Sequence, residues 1–205
     1  MNSSGIILFG GSFDPVHQGH IQMAQFAMSY LHIRRLIMIP AARSPHKINP
    51  PVAEGRDRLE MIRLAIRDRD GLEVSDIELN RPQPSYTYDT VRFFRDSIGR
   101  DVPLYWLVGA DAIVDLPYWH RIGELLDMCQ LCIMYRAGYE RPSLQALLPK
   151  FRPEQIEAME RHVIPTPLVD ISSTEVRERI AAGQAGTGIL SPSVLEYIVK
   201  NKLYL

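Results

Sequence analysis

Two histidines stand three residues apart near the start of the chain, within the segment Gly10–His20. If a helix begins near His17, then His17 and His20 lie on one face of its first turn. The first N–H groups of a helix have no partner within it and carry partial positive charge, so this end attracts phosphate. Gly10 and Gly11 directly before them let the backbone turn sharply and approach a ligand. These residues predict a site that handles phosphate.

Other interpretations of the two histidines stay open. A pair at this spacing also occurs at helix starts without any chemical task, and it is compatible with metal ligation. Gly19 costs helix stability unless space is required there, and Asp14-Pro15 stiffens the loop, which together favour a functional role. Neither G-x-G-x-x-G nor the Walker pattern G-x-x-x-x-G-K-S/T occurs, which argues against ordinary dinucleotide oxidoreductases and P-loop proteins.

A second cluster lies far along the chain, at Asp170–Arg177. Ser172 and Glu175 have the spacing of a capping box, which predicts a helix start at this point. Ser173 and Arg177 are then one turn apart, so one face presents a hydroxyl, backbone N–H groups and a guanidinium to a phosphate chain. The alternative is that Ser172 only caps the helix and that Arg177 is only solvated.

Short apolar runs alternate with helical periodicity along the chain, and these elements must position both clusters. The predicted strands are 6–9, 35–40, 72–75, 103–109 and 131–135, with a further segment at 165–168. The predicted helices are 18–31, 54–68, 88–98, 121–128, 173–182 and 192–201, with a short helix near Asp111.

Strands that alternate with helices pair in parallel through right-handed crossovers. We therefore expect an α/β fold with a doubly wound, mainly parallel Rossmann-like sheet of five to six strands. Helices cover both faces, a helical extension follows at the C-terminal end, and residues 1–205 form one domain. In such a sheet the ligand lies outside the carboxyl ends of the strands, where the winding reverses. The first strand, which ends at Gly10 and Gly11, normally borders that point.

The charge distribution limits the partners. The chain has 23 Lys and Arg against 24 Asp and Glu, a net charge of −1, and the two signs are interspersed. Non-specific binding to nucleic acid requires a clustered basic excess, so we expect no nucleic acid partner and only a small, locally held polyanion. A homo-oligomer is compatible with the sequence, which carries no information on that state.

Residues 1–33 contain no Lys or Arg, and no apolar run reaches the length of a membrane span. We therefore expect a cytoplasmic protein with no membrane contact. Cys129 and Cys132 are the only cysteines. Their C-x-x-C spacing allows a redox pair or half of a zinc site, but no second pair of ligands accompanies them and the segment is typical of a buried strand. We expect two small buried apolar side chains.

The segment Gly11–His20 resembles the signature of the nucleotidyltransferase superfamily that carries an H-x-G-H motif, and Ile171–Arg177 resembles its second motif. Further segments narrow the resemblance to the bacterial nicotinate mononucleotide adenylyltransferases, and it covers nearly the whole chain in order. These segments are Ser44-Pro45-His46-Lys47, Pro84-Ser85-Tyr86-Thr87, Gly109-Ala110-Asp111 followed by Trp119, and Tyr135-Arg136-Ala137-Gly138-Tyr139. Two departures are Ser12, where the family often has Thr, and Ala137, where it often has Pro.

The resemblance implies transfer of the adenylyl group of ATP to nicotinate mononucleotide, which gives deamido-NAD and pyrophosphate. A phosphate oxygen of the mononucleotide attacks the α-phosphorus directly, so no protein nucleophile is needed. Catalysis then depends on alignment and on neutralising the charge that develops. Mg²⁺ is expected to enter with the triphosphate, since it keeps waters and few protein ligands. We predict no dedicated metal cage.

The resemblance also implies residue roles. The catalytic residues would be His17, His20 and Arg177. The residues that bind ATP would be Gly10, Gly11, Ser12, Phe13, Gly109, Asp111, Ile171, Ser172 and Ser173. The residues that bind the mononucleotide would be His46, Lys47, Thr87, Trp119 and His120.

Within these sets, Lys47 would meet an incoming phosphate with help from His46, and Trp119 would stack on the pyridine ring. Thr87 and the backbone N–H of His120 would lie near the nicotinate carboxylate. The residues alone also allow a structural role for two of them. Lys47 would then be a solvated loop residue, and Trp119 would be part of the core. Asp111 would accept hydrogen bonds from a ribose or, alternatively, cap a helix.

Three other functions are compatible with parts of the pattern. Pantetheine-phosphate adenylyltransferases and cytidylyltransferases share the H-x-G-H chemistry but lack this combination of the other segments. A regulatory module that binds nucleotide without turnover would keep the glycine-rich loop and lose the groups that stabilise charge. The presence of both histidines and Arg177 argues against the regulatory module.

Overall fold

A parallel six-stranded sheet forms the centre of the protein in a computed structural model, which describes residues 4–45, 49–136, 138–166, 171–184 and 188–205. The strands are β1 Ile6–Gly11, β2 Leu36–Pro40, β3 Leu72–Val74, β4 Leu104–Gly109, β5 Gln130–Arg136 and β6 Val163–Thr166. Their order across the sheet is β3-β2-β1-β4-β5-β6, and all neighbours are parallel. This is the doubly wound Rossmann-like sheet that the alternating pattern predicts.

The helices lie between and after the strands. They are α1 Gln18–Tyr30, α2 Gly55–Ile66, α3 Thr87–Ile98, α4 Ile122–Met128, α5 Pro153–Glu160, α6 Ser173–Ala181 and α7 Pro192–Lys200. Short 3-10 turns at Ala110–Ile113 and Leu116–Tyr118 follow β4. In the described part of the chain, no helix is long and apolar enough to cross a membrane.

Alternate residues of the strands bury their side chains on opposite faces of the sheet, which produces two cores. In β1, Ile7 and Phe9 belong to one core, whereas Ile6 and Leu8 belong to the other. Residues of α1, α2, α6 and α7 pack in the first core, and residues of α3, α4 and α5 pack in the second. The two last helices therefore complete one face of the sheet.

The winding reverses between β1 and β4, because β2 and β3 lie on one side of β1 while β5 and β6 lie beyond β4. The loops after β1 and β4 consequently meet at one edge. This is the edge at which a doubly wound sheet binds its ligands.

The segment between β5 and β6 differs from the prediction. The sequence pattern indicated only a segment at 165–168 that leads into the last two helices, whereas β6 spans Val163–Thr166 and is preceded by α5, a helix that was not predicted. Pro153 at the helix start and the buried pair Ile156 and Met159 were the available signals. Pro165 is tolerated inside β6 because this strand lies at the sheet edge.

Both cysteines are free and buried, as expected. Burial raises the pKa of Cys132 to about 12 and raises the pKa of Cys129 as well. Because the thiolate is the reactive form, these two thiols are chemically quiet at neutral pH. They act as small core side chains, Cys132 within β5 and Cys129 directly before it.

Candidate active site at the carboxyl edge of the sheet

The two glycines that end β1 make room for aromatic rings. A Cβ on Gly10 would lie 2.5 Å from the ring of Trp106, and one on Gly11 would lie 2.9 Å from the ring of Phe13. The left-handed backbone of this turn belongs to Phe13, with φ of 47°, and not to either glycine. The glycines therefore serve packing, and the expected sharp turn lies two residues later. Ser12, half-buried, connects the two.

His17 and His20 stack on each other at the start of α1, with ring centroids 3.7 Å apart and planes inclined by 31°. The His17 backbone N–H donates to Nδ1 of His20 at 3.2 Å. Since Nδ1 accepts this bond, Nε2 is the nitrogen of His20 that carries hydrogen in the neutral ring. The buried ring of Phe13 supports His20 edge-on at 5.0 Å. These contacts hold the rings of His17 and His20 in one orientation.

His17 is buried, with 6% of its surface exposed, and burial lowers its pKa to about 4. The ring is therefore neutral at pH 7. Within the described residues its Nδ1 is buried without a hydrogen-bond partner. A buried polar atom of this kind requires an explanation, and a ligand at the site is one. His17 can thus contribute a hydrogen bond but not a positive charge.

The start of α1 is less open than predicted. Its first N–H group, on Gln18, donates to the carbonyl of Ile189 at 2.8 Å, and the N–H of His17 is taken by His20. The expectation of unpaired N–H groups was wrong for these two positions, because Ile189, before α7, accepts from Gln18 and the ring of His20 accepts from His17. The imidazole rings remain the main chemical feature of this turn.

The second motif docks on the first. Nη1 of Arg177 donates to the backbone carbonyl of Asp14 at 2.8 Å, and its Nη2 donates to the hydroxyl of Thr174 at 3.2 Å. The hydroxyl of Ser173, one turn away on the same face, donates to the carbonyl of Pro15 at 3.0 Å. The structure therefore brings Arg177 to the loop that leads into the two histidines, although 163 residues separate Arg177 from Asp14.

The predicted cap of α6 is present. The Ser172 hydroxyl accepts a hydrogen bond from the N–H of Glu175 at 3.1 Å. Ile171 is half-buried and packs against the first core. Capping and packing account for these two side chains, whereas the Ser173 hydroxyl is used to fasten α6 to the loop after β1.

Asp14 is the residue whose importance the sequence pattern underestimated. Its buried carboxylate accepts hydrogen bonds from the N–H groups of Val52 and Ala53, at 2.7 and 3.0 Å, and from the hydroxyl of Tyr204 at 2.8 Å. Arg177 Nη1 lies 3.8 Å from the same carboxylate. Three distant segments of the chain, at residues 52–53, 177 and 204, thus meet at Asp14.

A buried arginine also supports this loop and was not predicted. Arg58 is 2% exposed; its Nη1 donates to the carbonyl of Ser12 at 2.7 Å and its Nε donates to that of Ala53 at 3.2 Å. Burial lowers the pKa of Arg58, and the negative charge of Asp14 opposes this effect. The signal available in the sequence was the position of Arg58 on the apolar side of its helix.

The loop after β4 presents an exposed carboxylate. Asp111 lies in the 3-10 turn Ala110–Ile113, whose N-cap is Gly109. The suggested alternative, that Asp111 itself caps a helix, was therefore wrong. A Cβ on Gly109 would lie 2.4 Å from Oδ1 of Asp111, so the glycine makes room for this carboxylate. Asp111 remains a candidate ribose ligand.

Backbone contacts extend the ligand edge from β1 towards the start of α3. The N–H of Ala41 donates to the Gly11 carbonyl at 2.9 Å, and the N–H of Ala42 donates to the Ser85 hydroxyl at 3.1 Å. Ser85 also donates its N–H to the Arg43 carbonyl at 2.9 Å. The segment before α3 is thereby held against the loop that follows β2.

The start of α3 is in turn joined to the loop after β4. The ring of His120 lies 4.5 Å from that of Tyr86, next to Thr87. Thr87 is the first residue of α3, a position whose backbone N–H has no partner within the helix. Trp119 is half-buried and packs partly against the second core. The structure therefore brings together the two segments predicted to contact the nicotinate group.

A buried carboxylate contacts the segment before α3 and was not identified from the sequence pattern. Glu78 is 4% exposed and accepts a hydrogen bond from the Thr90 hydroxyl at 2.6 Å, while Arg81 lies 4.0 Å away. Burial raises the pKa of Glu78, and its hydrogen bonds to Thr90 and Ser85 and the charge of Arg81 oppose the rise. Glu78 thus fastens the segment that carries Ser85.

His46 and Lys47, predicted to meet the phosphate of the mononucleotide, lie outside the described residues.

Comparisons with known proteins identify the family. Residues 8–179 match the model of the family described as cytidylyltransferase-like. The "Probable nicotinate-nucleotide adenylyltransferase" of Gloeobacter violaceus is 39% identical over 206 residues, covering 96% of this chain and 94% of the relative. The protein of the same name from a Roseiflexus species is 36% identical, with full coverage of both chains.

A solved structure has the same fold. The nicotinic acid mononucleotide adenylyltransferase of Plasmodium falciparum, complexed with NaAD, superposes with a TM-score of 0.74 at 19% identity, covering 98% of this chain and 97% of the other. The parallel sheet with its reversal between β1 and β4 agrees with this fold. The chain belongs to the cytidylyltransferase-like family and, within it, to the nicotinate-nucleotide adenylyltransferases.

Proposed function

We propose that this chain, acting as one nucleotidyltransferase domain over residues 1–205, transfers the adenylyl group of ATP to nicotinate mononucleotide. The products are deamido-NAD and pyrophosphate. The observation that carries the proposal is the junction of the two motifs, in which Arg177 bonds to Asp14 three residues before His17. It supports the proposal because imidazole and guanidinium donors at this edge would face the nucleotide that a doubly wound sheet binds there.

In the proposed reaction a phosphate oxygen of the mononucleotide attacks the α-phosphorus of ATP, and the bond to pyrophosphate breaks on the opposite side. The protein forms no covalent bond, so its task is to align the two phosphates and to stabilise the developing charge. His20 would donate through Nε2–H, and neutral His17 would add a second hydrogen bond. Arg177 would supply fixed positive charge. One such donor is worth about 3 kcal/mol in the transition state.

The triphosphate would carry Mg²⁺ with it. In the described part of the chain, no group of three or more His, Cys, Asp or Glu is arranged to hold a metal ion. Phosphate oxygens and water would therefore supply most of the ligands, which is the usual binding mode of Mg²⁺ at nucleotides. When bound, the ion would neutralise part of the phosphate charge.

The ATP subsite would be built on the loops after β1 and β4 and on the start of α6. Gly10, Gly11, Ser12 and Phe13 would border the phosphates, and Ile171, Ser172 and Ser173 would close the other side. Gly109 would make room for Asp111, whose exposed carboxylate would accept hydrogen bonds from the ribose hydroxyls. The support for this arrangement is the shared position of these loops at the reversal of the sheet.

The mononucleotide subsite would lie where the start of α3 contacts the loop after β4. Thr87 and His120 would offer their backbone N–H groups to the nicotinate carboxylate, and Trp119 would stack on the pyridine ring. His46 and Lys47 would meet the phosphate of the mononucleotide. The contact between Tyr86 and His120 supports the proximity of the two N–H groups.

The reaction is tested by measuring pyrophosphate release from ATP and Mg²⁺ with a panel of acceptors. The panel contains nicotinate mononucleotide, its amide, phosphopantetheine and a sugar phosphate. We expect the first to be used best. Preferential use of phosphopantetheine or of the sugar phosphate would assign the chain to another H-x-G-H activity, and release with no acceptor would contradict the proposal.

The acid is expected to exceed the amide in kcat/KM by at least about tenfold. The amide NH₂ would face the N–H groups of Thr87 and His120, and each unpaired donor in a partly dry pocket costs about 1–3 kcal/mol. The measurement is kcat/KM for both mononucleotides at the same ATP and Mg²⁺ concentrations. Equal efficiency would refute this specificity and leave adenylyl transfer intact.

Arg177→Lys is expected to lower kcat/KM for ATP by about tenfold, although it keeps the positive charge. A lysine ammonium cannot hold the Asp14 carbonyl and the Thr174 hydroxyl as a planar fork does, so its charge is placed differently. Arg179→Lys is the matched control, because Arg179 lies on the same helix and pairs with Glu175 at the surface. Identical kinetics for the two variants would show that the guanidinium of Arg177 has no role in ATP use.

A further inference from the structure

Tyr204, in the segment that follows α7, reaches back across the molecule to the loop after β1. Its hydroxyl donates to Oδ1 of Asp14 at 2.8 Å, and the two residues are 190 positions apart in sequence. The Tyr204 backbone is left-handed, with φ of 61°, and its ring packs partly against the first core. Tyr204 belongs to neither of the two motifs, so their proposed functions do not explain its contact with Asp14.

The hydroxyl of Tyr204 remains a donor throughout the physiological pH range. Burial, followed by the negative charge of Asp14, raises the pKa of Tyr204 far above its ordinary value. The Asp14 carboxylate therefore faces an O–H group that does not ionise. A hydrogen bond from a neutral donor to a buried carboxylate is among the stronger ones in proteins.

The Asp14 carboxylate has direct hydrogen-bond donors and two cationic neighbours, Arg58 and Arg177. Val52, Ala53 and Tyr204 donate directly to its oxygens. Arg177 stands farther off, with Nη1 3.8 Å from Oδ2 but 2.8 Å from the Asp14 backbone carbonyl. A carboxylate short of one donor would draw the guanidinium towards itself, because opposite charges attract strongly where water is excluded.

We propose that Tyr204 is a positioning residue for nucleotide binding: its hydroxyl occupies Asp14 Oδ1, so that Arg177 stays on the backbone carbonyl with its charge directed to the phosphates of ATP. This inference rests on the proposed function for the identity of the nucleotide. Tyr204 itself touches no reacting atom, and its effect passes through Asp14 to Arg177.

The chain supplies a closely matched control. The hydroxyl of Tyr197, on α7, donates to Oδ1 of Asp57 at 2.8 Å, the same bond type at the same distance. Asp57 lies in the first turn of α2 and has no contact with Arg177 in the described structure. Tyr204→Phe and Tyr197→Phe therefore remove equivalent hydrogen bonds, one joined to Arg177 and one separate from it.

The experiment measures the Kd of ATP by calorimetry, steady-state pyrophosphate release and the melting temperature for both variants. We expect Tyr204→Phe to raise the Kd and KM of ATP by about tenfold, as for loss of one hydrogen bond to a charged group, with kcat within about threefold. Tyr197→Phe is expected to leave both ATP constants within about twofold while lowering the melting temperature similarly. Equal ATP constants in the two variants would overturn the proposal.

A double-mutant cycle tests the route through Arg177. If Tyr204 acts on that guanidinium, the effects of Tyr204→Phe and Arg177→Lys on the Kd of ATP will be clearly less than additive in free energy. Additive effects would overturn the positioning role. If the parent binds ATP but does not use nicotinate mononucleotide, the proposed function fails while the comparison of Kd values still decides the role of Tyr204. If the parent does not bind ATP, both fail.

Discussion

His20→Ala is expected to lower kcat for adenylyl transfer by about two to three orders of magnitude, with a much smaller change in the KM of the mononucleotide. Nδ1 of His20 is held by the backbone N–H of His17, which leaves Nε2–H to serve the phosphate. A donor of this kind acts mainly on charge that develops in the transition state, so its loss appears in kcat. Steady-state kinetics with both substrates varied provides the measurement.

The control for this variant is His162→Ala. His162 lies before β6, at the opposite edge of the sheet, where its ring contacts Tyr105 and its Nδ1 lies 2.9 Å from the carbonyl of Ala158. We expect its turnover to remain within about twofold of the parent, with a comparable change in melting temperature. If His20→Ala kept a near-normal kcat, His20 would not stabilise the transition state.

Asp14→Asn is expected to lower the free energy of unfolding by about 3–5 kcal/mol, the usual cost of removing one member of a buried charge pair. The amide would leave Arg58 and Arg177 without their negative neighbour. Its NH₂ would also oppose the N–H groups of Val52 and Ala53 or the hydroxyl of Tyr204. Urea denaturation at constant pH measures the loss.

Asp57→Asn provides the comparison, since Asp57 is half-buried and also accepts a tyrosine hydroxyl. Its expected cost is about 1 kcal/mol, for one hydrogen bond and a favourable charge at a helix start. If Asp14→Asn costs no more than Asp57→Asn, the carboxylate of Asp14 does not organise the loop as the contacts indicate.

The sequence pattern predicted the sheet and most helices because each depends on local periodicity. β1 to β5 and six of the helices lie within a few residues of their predicted positions. The pattern also identified the two motifs, since a helix start and a one-turn spacing are local properties of the chain. Their contact followed only from the family resemblance and from the reversal of the sheet.

The parts that could not be predicted depend on distant contacts. The donors that surround Asp14 come from residues 52–53 and from Tyr204, and no local spacing connects them. Gly10 and Gly11 were interpreted as residues that allow a sharp turn and a close approach to a ligand, whereas the rings of Trp106 and Phe13 occupy the space that they leave. The contact of Gly10 with Trp106 arises only because β4 lies beside β1. Helix α5 was missed although its apolar spacing was present.

The sequence distances at Asp14 also bear on the order in which the molecule assembles. Arg177 and Tyr204 lie 163 and 190 residues from Asp14, so these contacts close some of the longest loops that the chain can form. Loop closure must precede the stabilisation that such contacts provide, and long-range contacts therefore form late in folding. Helices and the first βαβ units can form before the two motifs meet. Nucleotide binding during refolding will consequently report the final closure of the chain and not the appearance of secondary structure.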